Sequence, residues 1–577
     1  MMRVGMSAFM KTNVRHPDTH GGPRRTRGGA PVSRWWVRMV CAWAGVLVLG
    51  SAEPTAPPVE TQVERIQTLL EQWQFVPAQR LAEELLDAYP DIPAVQVTAG
   101  WVLFHRGDQQ AAVALIDRAA AALGEQLMMN PRIQLVRATA QAMRGFARTV
   151  SPNGQVEVWH APGVDEILVP DLMDAVSRTV AVVGEDLGYR IEHPVVVQIV
   201  PSSEVLAVLT GLTQKEIQTS GTIAVCKYGR LMVTSPRATL VGYSWLDTVS
   251  HELVHMLISE KTYNRTPIWL HEALAKFEES RFRHAEPLYH EGLPPYEESL
   301  LATAVRSNAL ITFEQMHPSM ALLPSQEAVA LAFAEVFMAA KFLYERGGYA
   351  KMRTLLSALG SGLSDYQALE QIYGLTQKEF MARYREWLRH QPLRQLRADA
   401  LLDRREPSKA GDAVHLERLL TRANQLDLRD FYHLGQLLRA QKRPHAGAIE
   451  FQKAVQNAGP NHAARSVLQD KLGEALLASG QIDRARPAFE DSLRNNPQDL
   501  EAHRGMGEVL KKDDPYKAFL HLREALRINP LDPRIHAQLA DIAQVLAAAG
   551  DDHENWPTLA ERHRQALHRI LVRREDG

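Results

Sequence analysis

The sequence lacks the features that mark several specialised classes of protein. Only two of its 577 residues are cysteines, Cys41 and Cys226, so a disulfide-rich fold is excluded. The formal net charge is only −2, which gives no indication of nucleic-acid binding. No phosphate-binding loop or other cofactor fingerprint is evident. What remains is an ordinary globular composition, 45% hydrophobic and 23% charged, on a chain long enough for about three to five compact units.

Long hydrophobic runs are also scarce, and the most notable one lies near the N-terminus, at residues 39–50. It is too short to cross a membrane comfortably, it follows Arg34 and Arg38, and small residues come directly after it. This order is typical of a bacterial signal peptide, so we expect residues 1–60 to comprise a leader, a signal peptide and a linker. Cleavage would remove Cys41 and place the mature protein in the periplasm or cell envelope. An uncleaved run would instead serve as an N-terminal membrane anchor.

Helical repeats are predicted on both sides of a central region. Residues 61–147 show the small and large positions of a 34-residue helix-turn-helix unit. Residues 411–577 contain three units in phase, around Gly435, Gly473 and Gly507, followed by an amphipathic capping helix. Both regions resemble tetratricopeptide repeats (TPR), which implies a concave surface for a protein partner. Because such units contact mainly their neighbours, we expect removal of residues 411–577 to leave a folded central domain.

The central region, residues 150–395, is predicted to mix strands and helices. Residues 155–159 alternate in polarity, and residues 193–201 are apolar enough for a buried strand. Residues 221–235 indicate a β-hairpin, because a turn sequence separates two apolar stretches. Helical periodicity dominates from there onward. The fold class is therefore α+β: a small mixed sheet followed by helices, flanked by all-α repeats.

Directly after the hairpin comes an HExxH motif, from His251 to His255. On a helix these histidines lie one turn apart on the same face, where both imidazoles can bind one Zn²⁺. Glu252 lies beside them, placed to act on a metal-bound water. The next predicted helix carries His271 and Glu272. Adjacent helical residues point about 100° apart, so only one of these two can complete the site.

The pair of segments HELVH and PIWLHEALA resembles the gluzincin metallopeptidases of the peptidase MA-like group. This resemblance implies zinc ligands at His251, His255 and Glu272, with Glu252 as the general base. It also implies that an edge strand before the zinc helix, here one strand of the hairpin, pairs with an extended peptide substrate. The apolar surroundings of Glu272 favour it over His271, because a buried carboxylate without a partner is costly.

One element of the family pattern is missing. Relatives often carry a Tyr-Ala-Gln-Ser-like segment in a later helix, whereas residues 332–336 here read Ala-Phe-Ala-Glu-Val and contain no hydroxyl. The residue that would stabilise the transition state is therefore unassigned. The candidates from the sequence are His284, Tyr289, His290, Tyr296 and Tyr349.

Together these features predict an exported, zinc-dependent metallopeptidase that hydrolyses peptide bonds and contacts a protein partner through its repeats. The alternative is a non-catalytic repeat scaffold whose peptidase-like domain binds zinc or peptide without turnover. The presence of Glu252 favours the enzymatic function, because a site without catalytic activity does not require a general base. The missing tyrosine favours the alternative.

Overall fold

A computed structural model describes residues 6–7, 58–239, 242–289, 292–396 and 427–575. The predicted signal sequence at residues 39–50, Cys41, His290 and the start of the predicted C-terminal block lie outside these ranges. Within the described ranges, every helix is too short or too polar to span a bilayer. Cleavage or anchoring of the leader, and the domain boundaries given above, therefore stay predictions.

The N-terminal unit is helical, as predicted. Its helices are α1 Val59–Glu71, α2 Phe75–Ala88, α3 Pro93–His105, α4 Gln109–Leu123, α5 Glu125–Met128 and α6 Pro131–Ala142. Local sequence sets their ends: Pro93 stands in the first turn of α3, and the Asp108 side chain accepts a hydrogen bond from the Ala111 N–H at the start of α4. Leu85 of α2 and Val102 of α3 belong to the same buried hydrophobic cluster.

A small mixed sheet lies at the centre of the chain. Its strands are β1 Met6–Ser7, β2 Ala147–Val150, β3 Val156–His160, β4 Val195–Val200, β5 Thr222–Lys227 and β6 Arg230–Thr234, in the spatial order β1-β5-β6-β4-β3-β2. Strands β3, β4 and β6 run parallel, and β5 and β6 form the predicted antiparallel hairpin, with Ala224 opposite Val233. Helices cover both faces of the sheet, so β4 is buried at every residue.

The helices of the central domain connect the strands and continue after them. Its members are α7 Val169–Leu187, α8 Ser203–Thr210, α9 Gln214–Ser220, α10 Trp245–Thr262, α11 Ile268–Glu278, α12 Pro295–Ser307, α13 Gln326–Glu345, α14 Gly348–Gly360, α15 Asp365–Tyr373 and α16 Gln377–Arg389. Helix α11 is held in place by Trp269, whose ring stacks on Phe313 with centroids 4.4 Å apart and whose Nε1 donates to Asp365 at 2.9 Å. The α+β class predicted for this region is confirmed.

The C-terminal block consists of paired helices. They are α17 Leu428–Ala440, α18 Pro444–Ala458, α19 Arg465–Ala478, α20 Ile482–Asn495, α21 Leu500–Leu510, α22 Pro515–Ile528, α23 Pro533–Ala548 and α24 Trp556–Glu575. The glycines that defined the repeat phase stand where paired helices approach closely. A Cβ on Gly473 would lie 2.6 Å from the Phe489 ring, and one on Gly507 would lie 2.5 Å from Leu522. The predicted phase therefore has a packing reason.

This block packs against the central domain. The Tyr243 N–H, just before α10, donates to the Ile528 carbonyl at the end of α22 at 2.8 Å. A Cβ on the neighbouring Gly242 would lie 2.0 Å from that carbonyl oxygen. On α7, Asp171 pairs with Arg562 at 2.7 Å. The repeats therefore contact the central domain as well as one another, and folding of the central domain without residues 411–577 stays a prediction.

Candidate metal centre

Helix α10 presents His251 and His255 on one face, as the four-residue spacing requires. Both side chains are buried, and their rings meet edge to face with centroids 4.7 Å apart. The helix packs against β5 and β6 of the sheet on one side and against α11 and α14 on the other, so apolar neighbours surround it on most sides. Such an enclosed position shields a metal centre from bulk water.

Helix α11 brings the Glu272 carboxylate to the same point. Its Oε2 lies 3.4 Å from His251 Nε2 and 3.4 Å from His255 Nε2. Two ligands bound at about 2.05 Å in a tetrahedral zinc site are separated by about 3.3 Å, so the observed spacing suits one ion. Within the described residues, His251 Nε2 and Glu272 Oε2 are buried without a hydrogen bond. These three residues form the candidate site, and two imidazoles with one carboxylate suit Zn²⁺.

The pKa values of His251 and Glu272 favour opposite charges on these two side chains. Burial lowers the pKa of His251, but its contacts with Glu272 and Glu279 outweigh this and raise the pKa to about 10. Burial raises the pKa of Glu272, but the two histidines outweigh that effect and lower it to about 2. In the metal-free protein His251 and Glu272 therefore form an ion pair. A bound metal would displace the proton of the imidazolium and become the partner of the carboxylate.

A carboxylate outside the site fixes the orientation of the His251 ring. Glu279, at the end of α11, places its Oε2 3.1 Å from His251 Nδ1. The other oxygen of Glu279 accepts from Lys276 Nζ at 2.7 Å. A carboxylate on the far nitrogen of a metal-binding histidine selects the tautomer whose Nε2 faces the metal. The HExxH pattern gave no indication of Glu279 or Lys276.

His271 lies behind His255, outside the group of three. Its Nδ1 is 2.5 Å from His255 Nδ1, and its Nε2 is 3.1 Å from Ser259 Oγ. The ring is completely buried. Its position is that of a supporting residue, because it contacts the nitrogen of His255 that faces away from Glu272.

The choice between Glu272 and His271 can be tested with two variants. Glu272→Ala removes a donor at the point of convergence, so zinc affinity should fall by more than the roughly 10- to 100-fold typical of losing an outer contact. His271→Ala removes only the support behind His255 and should weaken zinc binding about tenfold. Competition with a chromophoric chelator measures both affinities. The opposite order of effects would indicate a three-histidine site.

Glu252 is buried beside the histidines and contacts the sheet. Its Oε2 accepts a hydrogen bond from the Cys226 N–H of β5 at 2.7 Å. Burial and the nearby Glu252 raise the pKa of the Cys226 thiol, which disfavours the reactive thiolate. Of the two hairpin strands, β5 lies farther from the centre of the sheet. The short strand β1, Met6–Ser7, pairs with its other side at Thr222 and Ala224.

The segment at residues 332–336, which contains no hydroxyl, lies beside the site. Helix α13 places the Phe333 ring 6.1 Å from the His251 ring, centroid to centroid. The other candidate donors have contacts elsewhere: His284 with the Arg281 carbonyl, Tyr289 with Ser280, Tyr349 with Tyr344, and Tyr296 largely with solvent.

Comparison with known families agrees with this architecture. Residues 175–390 match the model of the Peptidase MA superfamily, and residues 65–126 and 471–533 match that of the tetratricopeptide repeat. The chain therefore carries a Peptidase MA superfamily domain together with tetratricopeptide repeats, which confirms the predicted resemblance.

The solved structures to which this chain is similar share little of its sequence. Yeast LTA4 hydrolase in complex with bestatin is 13% identical over 73% of this chain and 67% of its own, with a TM-score of 0.31. MamA 41-end from Desulfovibrio magneticus RS-1 is 20% identical over 29% and 89%, with a TM-score of 0.24. Yeast Tom70 is 14% identical over 90% and 89%, with a TM-score of 0.20. These scores are too low to support an argument about function, and no curated protein matches.

Proposed function

We propose that this protein is a zinc metallopeptidase with a His₂Glu metal site and Glu252 as its general base. The observation that carries the proposal is the convergence of His251 Nε2, His255 Nε2 and Glu272 Oε2 in a buried site next to Glu252. The Peptidase MA superfamily match over residues 175–390 supports it. A structural histidine pair would have no need of a third donor at this distance or of a buried carboxylate beside it.

The residues divide the chemistry between them. His251, His255 and Glu272 would hold the metal, which supplies a Lewis acid and a water whose pKa is lowered to about 7. Glu252 accepts the proton of the attacking water and passes it to the leaving nitrogen. The peptide bond therefore breaks to release a neutral amine and not an unstable amide anion. The Cys226 N–H holds one oxygen of this carboxylate and so restricts its rotation.

The repeats and the predicted leader complete the proposal. Tetratricopeptide units on both sides of the peptidase-like domain would bind a protein partner. The apolar run at residues 39–50 supports export from a bacterial cell to the periplasm or envelope, with a membrane anchor where the run is retained. The substrate is a peptide or protein, since the same chemistry serves both.

Turnover of a peptide library by the full chain tests the proposal. The purified protein should hold about one zinc per chain. Removal of the metal with a chelator should abolish cleavage, and stoichiometric zinc should restore it. Cleavage that persists without metal would place hydrolysis outside this site.

The non-catalytic scaffold is retained as a second candidate because of one observation, Phe333 beside His251, where relatives often carry a tyrosine. A phenyl ring cannot donate a hydrogen bond to a developing oxyanion. Under this alternative the chain binds about one zinc yet cleaves no member of the library. Turnover therefore separates the two functions, whereas metal content alone does not.

A further inference from the structure

A short segment after α11 connects the metal centre to the C-terminal repeats. This segment, residues 279–286, is called the strap below. It begins with Glu279, whose carboxylate lies 3.1 Å from His251 Nδ1. It then forms a single 3₁₀ turn, Arg281–Arg283, and reaches Glu286. The orientation of the His251 ring therefore depends on where the strap lies.

Arg283, at the middle of the strap, joins three elements. Its guanidinium is mostly buried and donates to both oxygens of Asp247, at 3.0 and 3.3 Å. Asp247 stands on α10 one turn before His251. The same guanidinium donates to Glu524 of the repeat helix α22 at 2.6 Å. One buried cation thus ties the strap to the zinc-binding helix and to the third C-terminal repeat.

A second pair of contacts holds the end of the strap. Glu286 lies 2.5 Å from Arg527 of α22 and 3.0 Å from Arg178 of α7. Separating partly buried opposite charges costs free energy, because water only partly replaces the lost contact. The strap cannot shift from α22 without such a cost.

The same repeat also holds the start of the zinc-binding helix. The Tyr243 N–H, two residues before α10 begins at Trp245, donates to the Ile528 carbonyl at 2.8 Å. The close approach at Gly242 leaves no room for a Cβ between the two. Helix α22 therefore contacts both segments that set the position of His251: the N-terminal end of α10 and the strap.

We infer that the third C-terminal repeat, α21 and α22, is a positioning element of the metal centre, acting through Arg283 and Glu524 on the strap and so on the Glu279–His251 contact. The inference rests on the proposed zinc binding at His251, His255 and Glu272. Outer contacts of metal-binding histidines typically change metal affinity about 10- to 100-fold. Loss of the Glu524 contact releases the strap without touching a ligand, so an effect near the lower limit is expected.

The test compares two substitutions in the full chain. Glu524→Ala removes the repeat side of the Arg283 contact. Glu474→Ala is the matched control: Glu474 is a similarly buried repeat carboxylate, but its partners are Arg439 and Lys471 within the block. Zinc affinity, measured by chelator competition, should fall about tenfold for Glu524→Ala and stay within about twofold for Glu474→Ala. The visible spectrum of the cobalt-substituted protein should change only for Glu524→Ala, because a reoriented His251 alters the ligand field.

Glutamine variants at the same two positions provide a second pair. They keep side-chain size and remove only the charge, so they serve where an alanine variant does not fold, and the same order of effects is expected. If the Glu524 and Glu474 variants give equal zinc affinities and equal cobalt spectra, the inference is wrong while the proposed function stands. If the unmodified chain binds no zinc, the proposed function itself fails.

Discussion

His255→Ala is expected to abolish stoichiometric zinc binding by the full chain. His255 is completely buried, and its Nε2 lies 3.4 Å from Glu272 Oε2. Alanine leaves one imidazole and one carboxylate, and two protein donors hold zinc far more weakly than three. Metal analysis after dialysis should show a fall from about one zinc per chain to almost none, and His251→Ala should behave in the same way.

A buried histidine outside the site provides the control for this loss. His536, on α23, is also almost completely buried and contacts His563 with their Nδ1 atoms 3.0 Å apart. His536→Ala should reduce stability through a lost contact yet retain about one zinc per chain. Full zinc retention in both His251→Ala and His255→Ala would overturn the assignment of the site.

Glu252→Gln should reduce peptidase activity by at least about a hundredfold while zinc stays bound. Glutamine has the size of glutamate, and its side-chain oxygen can still accept the Cys226 N–H bond that Glu252 Oε2 accepts at 2.7 Å. The amide cannot take a proton from water, so the chemical step loses its base. Steady-state kinetics on a cleaved library peptide, with zinc content measured on the same sample, separates this loss from loss of metal.

Glu260 offers a matched control on the same helix. It is buried on α10, where it contacts His193 at 2.8 Å and Tyr189 at 3.1 Å, two turns beyond Glu252. Glu260→Gln should cost stability, measured by thermal unfolding, but leave the turnover of folded protein near that of the unmodified chain. A Glu252→Gln variant that cleaves as well as the unmodified chain would show that hydrolysis does not run through this site.

The local sequence pattern predicts part of the candidate site but not all of it. The four-residue spacing of His251 and His255 predicts a shared helix face from backbone geometry alone, and the structure has that arrangement. The pairing with Glu272 needed more, namely the family pattern, because nothing in the spacing distinguishes it from His271. The burial of His271 could not be read from the sequence, because burial depends on what packs around a helix, here Ser259 and the His255 ring.

In the repeat regions, too, the local sequence predicts some features and long-range packing decides others. Helical periodicity and the recurring glycines at 435, 473 and 507 were enough to predict paired helices, because each unit forms from contacts close in sequence. The contact between Arg283 and Glu524 joins residues that lie far apart in the chain, and no local signal predicts it. Short-range helix geometry thus determined the elements and the two histidine positions. Long-range packing decided that Glu272 converges on them, that Glu279 orients His251, and that a repeat holds the strap, because such contacts exist only when distant segments are brought together.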